Sequence, residues 1–177
     1  MNNSKIDFSK PKIILFVCSG NTCRSPMAKA LFDYQSVQNK LENFIADSAG
    51  ANCFPNQSAS ENAQLAMQEL NINTLKDHRS KPLSKELIEK AHIIFCMTNY
   101  ISDLIKISVP NAAEKIISLC VFENTVSPNL TVSELSKQSA RDITDPFAGN
   151  IEIYRRCRDQ INNCVINIIE YLKNQKP

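Results

Sequence analysis

Apolar and polar positions alternate with two distinct periods along this chain, and the switches between them mark its elements. Lys12 to Cys18 (KIILFVC) is an unbroken apolar run, which predicts a central parallel strand covered on both faces. After Ser19, Gly20 and Asn21 the period changes. From Pro26 onward, Met27, Ala30, Leu31 and Tyr34 recur at helical spacing, and proline early in a first turn removes no needed hydrogen bond. Phe44 to Ser48 is shorter and less apolar, which predicts an edge strand closed by a turn at Ala49-Gly50. A helix is expected from about Ala59 to Leu70, opened by a capping box of Ser58 and Glu61 and carrying Ala59, Ala63, Ala66, Met67 and Leu70 on one face.

Asp77 to Ser84 reads as a loop, and a short helix follows to about Ala91. His92 to Met97 (HIIFCM) and Lys115 to Val121 (KIISLCV) are two further buried strands, separated by a helix that Thr98 can cap and that carries Ile101, Leu104 and Ile105. Phe122 to Thr144 lacks a clear period and is long for a connection, with a helical turn expected only at VSELSK. From about Gly149 to Lys173 a long helix places Cys157, Ile161, Cys164, Val165, Ile168 and Leu172 on one stripe.

Strand and helix thus alternate, which predicts an α/β fold: a single-domain three-layer sandwich with a four-stranded parallel sheet and helices on both faces. The domain is expected over residues 12–177, behind a disordered N-terminal tail at 1–11. Ligands of such sheets sit at the carboxyl ends of the strands, and Cys18 stands at one of them.

Composition narrows the function. The chain has 177 residues, 43% hydrophobic and 21% charged, with no apolar run of membrane-spanning length and no secretory pattern at its N-terminus. A net charge of +2 without a dense basic block favours neither nucleic acid nor a membrane surface as partner. Seven cysteines, an odd number, read as free thiols in a reducing cytoplasm. Cys96, Cys120, Cys157 and Cys164 fall on apolar positions and are expected in the core, while Cys53 has no assigned place.

The chemistry concentrates in FVCSGNTCRSPMA, residues 16–28. A phosphoryl group in this loop can accept backbone N–H bonds at the positive end of the following helix. Arg24 adds a planar fork for two phosphoryl oxygens, and the same positive field favours the nucleophilic thiolate of Cys18. Ser25 can donate a hydrogen bond to that thiolate, and Asn21 can hold the loop by bonding its own backbone. Expelling a poor leaving group needs a proton donor, and Asp145, in ITDPF after the long connection, is the candidate. Its neighbour Phe147 is either a pocket wall or a core anchor. Cys23 either packs under the loop or forms a reversible disulfide with Cys18. His78 is expected to serve as a loop hydrogen-bonder, outside the catalytic set.

FVCSGNTCRSPMA, SAG at 48–50, HRSKPL at 78–83, MT at 97–98 and DPF at 145–147 together resemble the low-molecular-weight protein tyrosine phosphatase family, over about residues 12–173. The resemblance implies a protein phosphatase with Cys18 as nucleophile, Arg24 as phosphate clamp and Asp145 as general acid. Ser19, Gly20, Asn21, Thr22, Cys23 and Ser25 would shape the phosphate loop. It implies a phosphorylated protein as partner and neither metal nor other cofactor. Within the family, Thr22 and DPFAGNIEIY are most similar to the bacterial protein arginine phosphatase branch, which implies phosphoarginine in preference to phosphotyrosine, with Thr22 and Phe147 in the substrate pocket. Two rivals share the residues: an arsenate reductase on the same scaffold, which needs a relay of further cysteines, and a phosphoprotein-binding module without turnover.

Overall fold

The computed structural model describes residues 11–41 and 43–175. The tail expected at 1–11 lies outside them but for Pro11. Strand β1 (Lys12–Cys18) has the predicted limits, and its alternating side chains divide between two cores. Ile14, Phe16 and Cys18 join the cluster on one face, whereas Leu15 and Val17 join the cluster on the other. Strands β2 (Phe44–Gly50), β3 (Ile93–Cys96) and β4 (Ile116–Ser118) complete a parallel sheet in the order β2-β1-β3-β4. The chain passes from β1 outward to β2, then crosses back over β1 to β3. That reversal puts the switch in strand order beside β1, at the carboxyl end that carries Cys18.

Helices α1 (Arg24–Gln38), α2 (Glu61–Gln68) and α6 (Ile151–Lys173) cover the face of Ile14 and Phe16; α3 (Lys85–Lys90) and α4 (Asn99–Ser108) cover the other. A row of aromatic rings, Phe32, Phe16, Phe95, Phe122 and Tyr171, runs under the sheet with successive centroids 5.4–5.8 Å apart. It ties β1 to β3 and to α6, each pair adding about 0.5–1.5 kcal/mol beyond burial. Ser84 and Thr98 cap α3 and α4 by accepting from Leu87 N and Ile101 N, and the cap at Thr98 is the one expected. No helix among the described residues is long and apolar enough to cross a membrane.

Several expectations are corrected. Helix α1 starts two residues earlier than Pro26, and Phe32 joins the core while Tyr34 is exposed, because the buried face follows Met27, Ala28, Leu31 and Phe32. Helix α2 begins after Ser60, so Ser58 caps nothing, and Leu70 lies beyond its end. Ala49 and Gly50 belong to β2, because β1 continues to pair with them through Cys18. The third buried strand stops at Ser118. Leu119–Glu123 then curls into a 3-10 turn that buries Leu119, Cys120 and Phe122, the last ring packing edge-on against Tyr171 of α6. The 122–144 connection is packed rather than loose: Thr131 and Glu134 form a capping box on α5 (Val132–Leu135), and Leu135 and Ile143 are buried.

Candidate active site

The carboxyl end of β1 delivers Cys18, buried, to the start of a loop that closes at Arg24, the first residue of α1. No side chain caps α1 and its first turn holds no acidic residue, so the positive helix end and its first-turn amides face the loop without a built-in anion. Ser19 is exposed at the rim, Gly20 follows, and Asn21 turns the backbone with φ of 52°. Asparagine tolerates that left-handed geometry better than most residues.

Asn21 is completely buried, and its amide is satisfied from three directions. Its Nδ2 donates to Ser25 Oγ (2.9 Å) and Ser48 Oγ (3.0 Å), and its Oδ1 accepts from Lys81 N (2.9 Å). His78 Nε2 lies 2.7 Å from its carbonyl oxygen. The expectation that Asn21 bonds its own backbone is therefore corrected: it fastens the loop to β2 and to the 78–81 segment. His78 has the loop-bonding place expected of it. Burial first, then the nearby cations Lys29, Lys81 and Arg79, hold its pKa below the usual histidine value against the opposing hydrogen bond.

The sulfur of Cys18 accepts from Asn21 N (3.2 Å) and lies 3.0 Å from Ser25 Oγ. Because Ser25 Oγ already accepts from Asn21, its own hydrogen is free for the sulfur, and its other acceptor, Ala49 O, is farther at 3.4 Å. Cys23 packs beneath the loop, its sulfur 3.3 Å from both Ser60 Oγ and Tyr154 Oη. Burial and the contact with Cys23 push Tyr154 up to about 12, so its hydroxyl stays protonated.

Arg24 is buried, with Nη1 donating to Ile143 O (3.2 Å) and Nη2 paired with Asp145 Oδ2. The acid side chain is 50% exposed, and its other oxygen accepts from Phe147 N (3.1 Å). Ile143 N in turn donates to Met97 O (2.8 Å), and Asn99 holds Ala140 O and Asp142 Oδ1, so the segment before the acid is pinned to the start of α4. A cleft of about 270 Å³ opens over Cys18, lined by Thr22, Arg24, Asp145 and Phe147 among others. Phe147 is 76% exposed, which makes it a wall and not a core anchor.

The structure thus gathers the loop from Cys18 to Ser25, Asp145 and Phe147 at one place. Ser48, Lys81, Tyr154 and the far wall of Asn52, Cys53, Phe54 and Gln57 were not anticipated. Of these, Ser48, Lys81 and Tyr154 fall within runs that carried a sequence signal, SAG, HRSKPL and DPFAGNIEIY. Cys96, Cys120, Cys157 and Cys164 are core thiols, and burial pushes Cys96 and Cys157 up to about 12.

Residues 13–177 match a family model described as low molecular weight phosphotyrosine protein phosphatase. A protein-arginine-phosphatase of Bacillus subtilis is 34% identical over 163 residues, 92% of this chain and 98% of its own length. The solved YwlE arginine phosphatase from Geobacillus stearothermophilus has a TM-score of 0.78 at 35% identity, covering 92% of this chain and 94% of that one. A cysteine-to-serine mutant of a YwlE arginine phosphatase, solved with its active-site serine phosphorylated, matches at the same TM-score of 0.78 and 33% identity, over 91% and 95% of the two chains. The chain therefore belongs to the low molecular weight phosphotyrosine protein phosphatase family, with bacterial arginine phosphatases among its most similar members, and is an enzyme of the cysteine-dependent hydrolase class.

Proposed function

We propose that this chain is a cytoplasmic protein phosphatase that hydrolyses phosphoarginine through a phosphocysteine on Cys18, without a metal. The observation that carries the reading is a hydrogen-bonded Cys18 sulfur in one cleft with a buried Arg24 guanidinium that is ion-paired with Asp145. The positive charge that a phosphoryl group needs comes from Arg24, the loop amides and the α1 end, so the cradle requires no added cation.

A phosphoryl group entering the loop competes with Asp145 for Arg24 Nη2. Once displaced, the acid lies at the mouth of the cleft beside the leaving group. The Cys18 thiolate attacks phosphorus, the P–N bond breaks, and Asp145 gives its proton to the departing guanidine nitrogen. In the second step water attacks the phosphocysteine while Asp145 takes its proton. The S–P bond breaks, inorganic phosphate leaves, and the Ser25 hydroxyl stabilises the returning thiolate.

Thr22 lines the cleft, and its hydroxyl makes that wall more polar, which suits a guanidinium better than a phenol. The names of the Bacillus and Geobacillus relatives, and the phosphorylated serine of the YwlE mutant, support the substrate class and the covalent step. One observation favours the second reading, a tyrosine phosphatase: exposed Phe54 and Phe147 flank the cleft and could stack on a phenol ring. The arsenate-reductase reading gains no support from Cys96, a thiol sealed in the sheet.

The deciding experiment compares a phosphoarginine protein with phosphotyrosine peptides under matched conditions with a chelator present. Faster cleavage of phosphoarginine is expected; a preference for phosphotyrosine overturns the arginine assignment, and dependence on added metal overturns the mechanism. Thr22→Ile should shift the ratio of the two rates toward phosphotyrosine by about tenfold, the scale of one changed pocket contact.

A further inference from the structure

A second cavity, of about 510 Å³, lies away from Cys18 between α4, the 3-10 turn at Pro110–Lys115 and the segment 136–139. Helix α4 turns Ile101 and Ile105 into the core with Ile116 of β4. Its next face lines the cavity with Asn99, Ser102, Asp103 and Lys106, spaced i, i+3, i+4 and i+7. Such a polar stripe on a surface helix ordinarily stands in water. Here it is walled in, because Lys106 Nζ donates to Ser136 O (3.2 Å) and Asn99 Nδ2 to Ala140 O (2.6 Å). The cavity therefore shares a wall with the connection that carries Asp145.

Ser118 lines it from the sheet. This residue ends β4 as Cys18 ends β1, so the cavity too sits at the carboxyl edge of the strands, where α/β folds of this kind bind ligands. Its side chain lies on the face that Ile116 turns to α4. Ser118 is 5% exposed, and among the described residues its Oγ has no hydrogen-bond partner. A buried hydroxyl left unpartnered is uncommon and costly, and a ligand atom beside it would satisfy it.

The charges of the lining select the ligand. Lys106 and Lys137 are positive, Asp103 and Glu114 negative, and among the described residues none of the four is ion-paired. Lys106 uses one of its three N–H groups on Ser136, which leaves two for a ligand. A bare phosphate would meet two carboxylates, a polyamine would meet two ammonium groups, and a neutral sugar would draw on neither sign. An amino acid head group carries an ammonium and a carboxylate side by side. Asp103 and Lys106, three residues apart on one helix face, have Cβ atoms about 5–6 Å apart and can meet both ends at once.

We propose that this cavity is a second binding site and takes a free α-amino acid, with the carboxylate on Lys106, the ammonium on Asp103 and a polar atom of the ligand on the Ser118 hydroxyl. Its volume falls within the ~300–1,000 Å³ of small-molecule sites and leaves room for the ligand's own side chain.

Isothermal titration calorimetry of the full chain against each common free α-amino acid should find at least one that binds one to one and saturably. Its decarboxylated amine and its N-acetyl derivative should each bind more weakly by about tenfold or more, the scale of one charge-assisted hydrogen bond. Lys106→Gln and Asp103→Asn should each weaken the amino acid by a similar factor. Ser118→Ala should weaken it too, yet leave the melting temperature of the free protein no lower, since alanine removes an orphaned hydroxyl. Arg24→Ala should bind as wild type does, which separates this site from the cleft over Cys18. The proposal is overturned if no amino acid saturates the protein, or if the amine or the N-acetyl derivative binds as tightly as its parent. Wild-type affinity in Lys106→Gln and Asp103→Asn, or lost affinity in Arg24→Ala, overturns it equally. No arm reads turnover, so each outcome stands whether or not the phosphatase reading does.

Discussion

The two halves of the site are built in opposite ways. The loop from Cys18 to Ser25 is continuous with a central strand and a helix, and its keystone, Asn21, is wholly buried with every polar atom of its amide matched. Asp145 comes from a connection more than a hundred residues later, is half exposed, and is ion-paired with Arg24, a pair that a phosphoryl group would replace in the proposed mechanism. Charge develops on the phosphoryl oxygens in every turnover at the same place, so a fixed cradle stabilises it without reorganising. In the proposed mechanism the leaving group differs in size and must enter and depart, which suits a proton donor carried on a half-exposed connection.

Mutations can break this contrast. The largest effect is expected from Arg24→Ala, which removes the buried fork from the cradle and should lower kcat by about 10³ or more for every substrate alike. Arg24→Lys should rescue little, since a point charge cannot hold two oxygens at once. Asp145→Ala should lower kcat by about 10² or more for poor leaving groups and far less for good ones, measured across a series of aryl phosphates. A slope against leaving-group pKa equal to that of the wild type would remove Asp145 from the acid role.

Two smaller changes sharpen the comparison. Asn21→Ala leaves Ser48 and Lys81 N without their partner and puts alanine at a left-handed φ. Each orphaned group costs about 1–3 kcal/mol, so the melting temperature and the activity should fall together. Asp142→Ala removes only the exposed bonds from Asn99. It should cost under about 1 kcal/mol of stability while slowing poor leaving groups several-fold. If both variants lost stability equally, the division into fixed cradle and exchangeable acid would fail.

The smallest expected effect is a pH dependence at the cradle. His78 has a folded pKa below its unfolded value of about 6.5, because burial disfavours the charged ring. As pH falls from about 6.5 toward that lower value, the unfolded chain binds a proton that the folded chain does not, so stability falls on acidification and then levels. His92, also held low by burial, contributes with the same sign. Thermal unfolding of wild type and His78→Gln between pH 7 and pH 5 should show a shallower acid slope in the variant; equal slopes would remove His78 from the account.

What the sequence disclosed follows the same division. β1, the cap at Thr98, and the placement of Cys18, Arg24 and Ser25 on one loop are local, with determinants that lie within a few residues of each other. The shortness of β4 was hidden because Leu119, Cys120 and Phe122 are apolar in either state, and only the packing of Phe122 against Tyr171 of α6 selects the turn. Ser58 was legible as a cap by its spacing to Glu61 alone, whereas α2 begins after Ser60, whose N donates to the distant Thr22 O. Asn21 was legible as a loop residue but not as a fastener, because its partners lie 27 and 60 residues away. Asp145 could be picked out by chemistry, while its bond to Arg24 depends on Met97 and Asn99 pinning the segment before it. Cys53 had no local signal at all; its place is set by register between β1 and β2.

The most direct test of the central claim is the chemistry of Cys18 during turnover. Wild-type protein quenched while hydrolysing a phosphoarginine substrate, then digested, should carry one phosphoryl group on Cys18 in the peptide of residues 13–24, and Cys18→Ser should show no turnover. Steady hydrolysis with no phosphoryl group on that cysteine, or activity that survives Cys18→Ser, would contradict the account.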